Sequence, residues 1–313
     1  MKQPDVVTIL GDRQGSDTLI LFMPGISGSN GQWMGIVGEL SGFDADFGFS
    51  SGAVTNSAFG DGAPAISTVA HVIGEKLLAL GYKSVVLVAH SVGAFVALSL
   101  ANALPRLVTG VVITNGGLSS AGRFLDRPLR ELATRPRSCL LLMRLFVLVS
   151  VPTPASLRTK IAKNQWLSRT LLGSFVSDSA IADVQARTAL VESSNRPDVL
   201  PGIWKNRHHW QEFLRYAGQI QTRVVFAVGD RDPMSTVRDT QEMAALLPHA
   251  EVVVLNGVGH AAPLEARDVI TDLIRSAATG RSGGSQSPAG QAAAAPVTGL
   301  GSSSAGQEEV RPG

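Results

Sequence analysis

Residues 84–100 constrain the fold of this chain more than any other stretch. Residues 85–89 (VVLVA) form a continuous apolar run, as expected for a strand buried on both faces of a sheet. After Ser91, large apolar residues recur among alanines, as expected for a helix packed on that sheet. The chain must therefore reverse direction at Ser91. Ala89 and Gly93, two positions away on each side, are small enough for such a bend.

Further strand-like and helix-like runs surround this stretch. Residues 6–10, 18–23, 43–49 and 107–114 have strand character, and residues 65–80 have the pattern of a helix ended by a glycine. Two more apolar runs, 223–229 and 251–255, follow much later. This alternation predicts an α/β fold with a mostly parallel sheet covered by helices on both faces.

The alternation breaks between residues 118 and 222, which are rich in helix formers and divided by prolines. This segment holds 15 Lys and Arg against 7 Asp and Glu, whereas the whole chain has a net charge of only +2. The most apolar stretch of this segment is residues 139–151. It is predicted to pack the segment onto the core, to line a substrate pocket or to insert into a membrane surface. We prefer these three interpretations in that order.

The composition argues against a disulfide-bonded, nucleic-acid-binding, secreted or membrane-spanning protein. The single cysteine, Cys139, rules out an internal disulfide bond, and the small net charge gives no indication of nucleic-acid binding. The start of the chain has no secretory pattern, and the longest apolar stretch is too short to cross a bilayer. These features predict a cytoplasmic protein without stable membrane insertion. Residues 279–313, composed mainly of small and polar residues, are predicted to be a disordered tail.

Three polar residues follow predicted strands in the order Ser91, Asp232 and His260. The carboxyl ends of parallel strands meet at one edge of a sheet, so these side chains are expected to lie together. The elbow Ala-x-Ser-x-Gly and the strand endings Gly-x-x-Asp and Gly-x-Gly-His resemble the α/β-hydrolase family. The first glycine of the family's usual elbow is Ala89 here. The resemblance covers roughly residues 5–278.

The resemblance implies an α/β-hydrolase core formed by residues 1–117 and 223–278. It also implies that residues 118–222 form a helical cap, inserted after the sixth strand. In the family, the second strand usually ends in His-Gly, and the backbone N–H groups of the residue after that glycine and of the residue after the nucleophile form an oxyanion hole. The matching residues here are Ile26 and Val92. Pro24 stands where the family usually has a histidine.

The chemistry of these residue types points to nucleophilic catalysis. A serine hydroxyl needs an adjacent base, which His260 can supply, and a carboxylate must fix the tautomer of that imidazole. Asp232 matches the family's acid position, while the nearby Asp230 is interpreted as a turn or helix-start residue. A serine nucleophile needs no cofactor or metal and excludes the aspartate mechanism of halide- and epoxide-opening relatives.

The favoured function is hydrolysis of a small to medium carboxylic ester, thioester or lactone through an acyl-enzyme. The substrate is therefore expected to be a small molecule with an apolar acyl group. One alternative is a carbon–carbon bond hydrolase or a cofactor-free, haloperoxidase-like perhydrolase that uses the same three residues. Another alternative, from a different class, is a ligand-binding receptor that turns over slowly. The oligomeric state is left open.

The remaining histidines are interpreted as structural. His71 lies in a predicted helix, and His90 immediately precedes the expected nucleophile. His208 and His209 are adjacent and would point to opposite sides of most elements, which disfavours a metal site.

Overall fold

The computed structural model describes residues 7–11, 16–25, 30–41, 50–54, 65–134, 136–137, 139–140, 143–144, 151, 153–192 and 206–280. One sheet contains β1 (Val7–Gly11), β2 (Thr18–Met23), β3 (Ser50–Val54), β4 (Ser84–His90), β5 (Val108–Thr114), β6 (Val224–Gly229) and β7 (Ala250–Leu255). Their order across the sheet is β1-β3-β2-β4-β5-β6-β7. Only the pair β1–β3 is antiparallel among these strands. The prediction of a mostly parallel sheet is therefore confirmed.

The helices of the described residues fall into three groups along the chain. The first group is α1 (Met34–Ser41), α2 (Ile66–Leu80) and α3 (Gly93–Ala103). Between β5 and β6 lie α4 (Ser119–Asp126), α5 (Pro128–Thr134), α6 (Ala155–Lys163), α7 (Gln165–Leu172), α8 (Asp178–Ala182), α9 (Val184–Glu192) and α10 (His209–Tyr216). The last group is α11 (Val237–Ala244), α12 (Ala262–Glu265) and α13 (Arg267–Thr279).

The sheet separates two apolar cores because successive side chains of a strand point to opposite faces. In β2, Leu19, Leu21 and Met23 belong to the core that contains α2 and α3, whereas Ile20 and Phe22 belong to the core beneath α1 and α13. All five of these side chains are fully buried. The continuous apolar runs seen in the sequence thus follow from helices that cover both faces of the sheet.

Two boundaries differ from the expectations. In the described residues, five strands rather than six precede the helical segment (residues 118–222), and four pairings join them. The third of these is Ser50–Val54, whose small residues give a weak sequence signal, while the predicted strand over 43–49 lies outside the described residues. The closing helix continues to Thr279, and Gly280 ends it in the left-handed conformation. The predicted tail beyond Gly280 is likewise outside the described residues.

The helical segment is joined at its start to the helix α11 by buried and partly buried polar contacts. Ser119 Oγ donates to Asp239 Oδ1 at 3.0 Å, and Arg123 Nη2 lies 2.9 Å from Glu242 Oε2. Asp239 and Glu242 belong to α11, which packs beside β6 and β7. Within the described residues the segment contains helices and no strand. No helix of the described residues is long and apolar enough to cross a membrane.

Candidate active site

Ser91 lies at the bend between β4 and α3. Its φ is +51°, a left-handed conformation that is uncommon for residues other than glycine. Space around the bend is tight. A Cβ added at Gly93 would lie 2.7 Å from the Pro24 carbonyl oxygen, and one at Gly25 would lie 2.9 Å from the Ser91 Cβ. The small residues noted in the sequence therefore allow the β2 and β4 chain ends to approach each other.

The structure brings Ser91, His260 and Asp232 together at the carboxyl ends of β4, β7 and β6. His260 Nε2 lies 3.2 Å from Ser91 Oγ, and His260 Nδ1 lies 2.8 Å from Asp232 Oδ2. A carboxylate can only accept hydrogen bonds, so Nδ1 carries the proton and Nε2 is left to accept from the serine hydroxyl. This is the tautomer that a general base needs. Ser91 and Asp232 are buried, and His260 is partly exposed.

The Asp232 carboxylate is held by hydrogen bonds on both of its oxygens. Oδ1 accepts from the Met234 and Ser235 amides at 2.8 and 3.1 Å, and Oδ2 accepts from Asn115 Nδ2 at 2.7 Å. Its side chain is fully buried. These donors fix the orientation of the carboxylate relative to His260.

Asn115 is a site residue that the sequence analysis did not identify. It follows β5, is completely buried and has a φ of +48°. Besides its bond to Asp232, its amide donates to the Gly259 carbonyl at 3.0 Å, and its Oδ1 accepts from the Ala262 amide at 3.3 Å. It therefore joins the acid to the residues on both sides of His260. An asparagine at a strand end, where left-handed backbone is tolerated, was the available signal.

Asp230, the alternative acid, has a different role. It is exposed, and its Oδ1 accepts from the Gly257 amide at 2.7 Å. This bond holds the turn after β7, where Gly257 has a φ of +76°. The structure thus places Asp230 in a turn.

His90 lies beside His260, with the ring centroids 5.0 Å apart. Its Nδ1 is 3.1 Å from the Thr114 carbonyl oxygen. Burial, followed by the charge of the nearby His260, lowers the pKa of His90 to about 3, although the hydrogen bond to Thr114 acts in the opposite direction. A neutral ring at this position packs against the site without adding a second positive charge.

Of the two expected oxyanion donors, the structure describes one. Val92 precedes α3 with right-handed helical φ and ψ, directly after Ser91. In the described part of the chain, its backbone N–H has no hydrogen-bond acceptor. Ile26 lies outside the described residues.

The loop that carries His260 is bonded to the helical segment. The His260 amide donates to the Phe175 carbonyl at 2.6 Å. Glu265 Oε2 accepts from the amides of Gly259 and Ser177, both at 2.9 Å, and its Oε1 accepts from the Ala261 amide at 2.9 Å. The Glu265 carboxylate therefore links the residues on both sides of His260 to Ser177, which precedes α8.

The other histidines lie in separate places. His71 is exposed and 3.4 Å from Glu75 on the same helix. His208 faces Asp126 at 3.1 Å, whereas His209 is buried against Phe95 with ring centroids 4.3 Å apart. The expectation that the adjacent pair diverges is confirmed. The described residues contain no group of three or more His, Cys, Asp or Glu placed to hold a metal.

Structure comparisons find the same architecture in several solved structures. The N-acyl homoserine lactone degrading enzyme Est816 is 21% identical, with a TM-score of 0.58 over 87% of this chain and 98% of its own. A thermophilic esterase from Thermogutta terrifontis is 16% identical, with a TM-score of 0.59 over 86% of this chain and 91% of its own. MenH from S. aureus is 13% identical, with a TM-score of 0.61 over 88% of this chain and 99% of its own.

Sequence comparison identifies the family of this chain. No curated protein matches the chain. A family profile described as the alpha/beta hydrolase family matches residues 20–273, which is most of the sequence. This match includes β2 to β7, the strand ends that carry Ser91, Asp232 and His260, and most of α13. The chain belongs to the alpha/beta hydrolase family and is a hydrolase.

Proposed function

We propose that this hydrolase cleaves a small to medium carboxylic ester through an acyl-enzyme on Ser91, with His260 as general base and Asp232 as its orienting acid. The observation that supports this proposal is the chain of contacts from Asp232 Oδ2 to His260 Nδ1 and from His260 Nε2 to Ser91 Oγ. Thioesters and lactones contain the same electrophilic carbonyl and fall within the proposal.

The first half-reaction transfers the acyl group. Ser91 Oγ attacks the ester carbonyl carbon while its proton passes to His260 Nε2, and the carbonyl oxygen becomes an oxyanion. When this intermediate collapses, the bond to the leaving oxygen breaks and His260 returns the proton to it. The alcohol leaves, and the acyl group remains on Ser91. Asp232 stabilises the imidazolium that forms between these two proton transfers.

The second half-reaction releases the acid. A water molecule attacks the acyl carbon while His260 Nε2 takes its proton. Collapse of the second intermediate breaks the bond to Oγ, and His260 returns the proton to Ser91. The products are a carboxylic acid and the free enzyme, so the two half-reactions together consume one water.

The oxyanion of both steps needs hydrogen-bond donors. The Val92 N–H, at the start of α3 and unpaired within the described residues, is suited to this role, and we assign the second donor to Ile26 from the sequence. Each such donor contributes roughly 10²–10³-fold in rate. We further propose that the helical segment caps this site, because Phe175 and Ser177 bond directly to the residues around His260.

An ester panel tests the proposed function. We expect turnover of p-nitrophenyl esters with short to medium acyl chains, and a loss of about 10⁴-fold or more in kcat for Ser91→Ala. Matched assays use a diketone for carbon–carbon cleavage and a carboxylic acid with hydrogen peroxide for perhydrolysis. Higher kcat/KM in either assay would favour the corresponding alternative. Negligible turnover with tight, saturable ligand binding would instead identify a receptor.

A further inference from the structure

A surface groove of about 1130 Å³ lies between α6 and α7 in the helical segment. It is lined by Lys160 and Lys163 from α6 and by Trp166 and Arg169 from α7. Trp166 is 70% exposed, which is unusual for the largest apolar side chain. The proposed ester hydrolysis uses none of these four residues.

The charge of the groove has one sign. Among the described residues that line it, none is an aspartate or a glutamate. Lys160 and Lys163 form no ion pair within the described part of the chain, whereas Arg169 is 2.9 Å from the exposed Asp178. Two ammonium groups that have no ion pair among the described residues therefore flank an exposed indole, in a segment whose net charge is +8 from 15 basic and 7 acidic residues.

An exposed aliphatic side chain adjoins this groove. Leu157 lies on α6 three residues before Lys160, and residues three apart are neighbours on a helix surface. Leu157 is exposed. An apolar side chain beside lysine ammonium groups forms an amphipathic surface.

We propose that the α6–α7 hairpin docks on the surface of an anionic lipid bilayer. In this arrangement the indole of Trp166 enters the headgroup region, where aromatic rings with one polar edge are favoured. Lys160 and Lys163 face lipid phosphates, whose negative charge complements theirs. A nucleic acid would also attract these cations, but it would leave Leu157 exposed to water. This aliphatic side chain therefore favours a bilayer.

The docking surface is connected along the chain to the candidate active site. The end of α7 leads within three residues to Phe175, whose carbonyl accepts the His260 amide hydrogen. Docking would therefore hold the proposed site near acyl compounds dissolved in the bilayer. Membrane docking does not depend on the proposed ester hydrolysis, and the two are tested separately.

Vesicle co-sedimentation of the full chain carrying Ser91→Ala tests the proposal without hydrolysing lipid. The vesicles contain phosphatidylcholine alone or with about one third phosphatidylglycerol. We expect binding to the anionic vesicles only, weakening as salt shortens the Debye length from about 8 Å at physiological ionic strength. Lys160→Gln with Lys163→Gln should weaken binding about 25-fold, since each basic residue contributes about fivefold near such a surface. Tryptophan emission should shift to the blue on binding, and Trp166→Phe should abolish that shift.

The control variant is Lys83→Gln with Arg106→Gln. This variant removes the same charge from two exposed positions. They precede β4 and β5, at the strand ends opposite those that carry the candidate active site. The variant should bind like the chain that carries Ser91→Ala alone. Equal weakening of the control, equal binding to both kinds of vesicle, or no binding would overturn the proposal. Tighter binding to a single-stranded RNA, lost in the Lys160 and Lys163 variant, would also overturn it and identify a nucleic-acid site.

Discussion

Two aspartates, two residues apart after β6, differ in what their carboxylates contact. Asp232 is buried against His260 and its carboxylate accepts three further hydrogen bonds, while Asp230 is exposed and, within the described residues, its carboxylate accepts only from the Gly257 amide. An amide at position 232 would present a donor to His260 Nδ1 and favour the wrong tautomer. An amide at position 230 keeps an oxygen that can accept from Gly257. The substitutions should therefore have very different effects.

We predict that Asp232→Asn lowers kcat for a p-nitrophenyl ester by about 10³–10⁴-fold, as expected when the tautomer is lost. Asp230→Asn should retain kcat within a few-fold. Steady-state kinetics of both purified variants, with matched circular dichroism spectra, provides the measurement. Equal losses in the two variants would show that the acid is wrongly assigned.

His90 couples stability to pH. Its pKa is about 3 in the folded chain, mainly because it is buried, whereas an unfolded histidine titrates near ~6.5. Between these values the unfolded state binds the additional proton. The stabilisation is therefore complete above about pH 6.5 and is lost as the pH falls, by up to about 1.4 kcal/mol per pH unit.

We predict that His90→Gln reduces this dependence. Urea midpoints measured at several pH values between about 6 and 4 should fall less steeply in the variant than in the wild type. His71→Gln, which changes an exposed histidine, is the control and should leave the slope unchanged. A wild-type slope in the His90 variant would mean that this ring does not titrate as described.

At the scale of elements, Glu265 joins α12 to the loop before His260 and to the start of α8. Its two oxygens accept three backbone hydrogen bonds, from Gly259, Ala261 and Ser177. A glutamine has only one oxygen acceptor, so it can preserve only part of this arrangement. The histidine loop would then be less firmly held over Ser91.

We predict that Glu265→Gln lowers kcat between about 10- and 100-fold, because a small displacement of a reacting group has that effect. The melting temperature should change by only a few degrees, since the helices and the sheet remain. Glu251→Gln, which disrupts an exposed pair with Arg223, should change neither. An unchanged kcat for Glu265→Gln would show that the position of His260 does not depend on this carboxylate.

For the whole molecule, the apolar cores of the described residues extend as far as α13, and the sequence beyond Gly280 has few apolar residues that could enlarge them. We predict that a chain truncated after Gly280 keeps the melting temperature and the esterase kcat of the full chain. Differential scanning fluorimetry and the ester assay check this. A fall of several degrees would show that residues 281–313 contribute to the fold.

The sequence predicted the parts of the fold that depend on local pattern. Buried β-branched runs identified β4, β5 and β6, and the small residues beside Ser91 identified the bend. Asn115 and Glu265 were not found, because their roles depend on partners as distant in sequence as Asp232 and Ser177. β3 was not predicted because its small residues carry little apolar signal, and only pairing with β1 and β2 defines it.

The central claim is that Ser91 is the nucleophile. Its hydroxyl lies 3.2 Å from His260 Nε2, and its backbone amide donates to the Thr114 carbonyl at 3.0 Å. The most direct measurement is labelling with a fluorophosphonate, followed by mass spectrometry of the modified peptide. We predict one label, on Ser91, in the wild type and none in a folded Ser91→Ala variant. A label on another residue, or undiminished labelling of the variant, would contradict it.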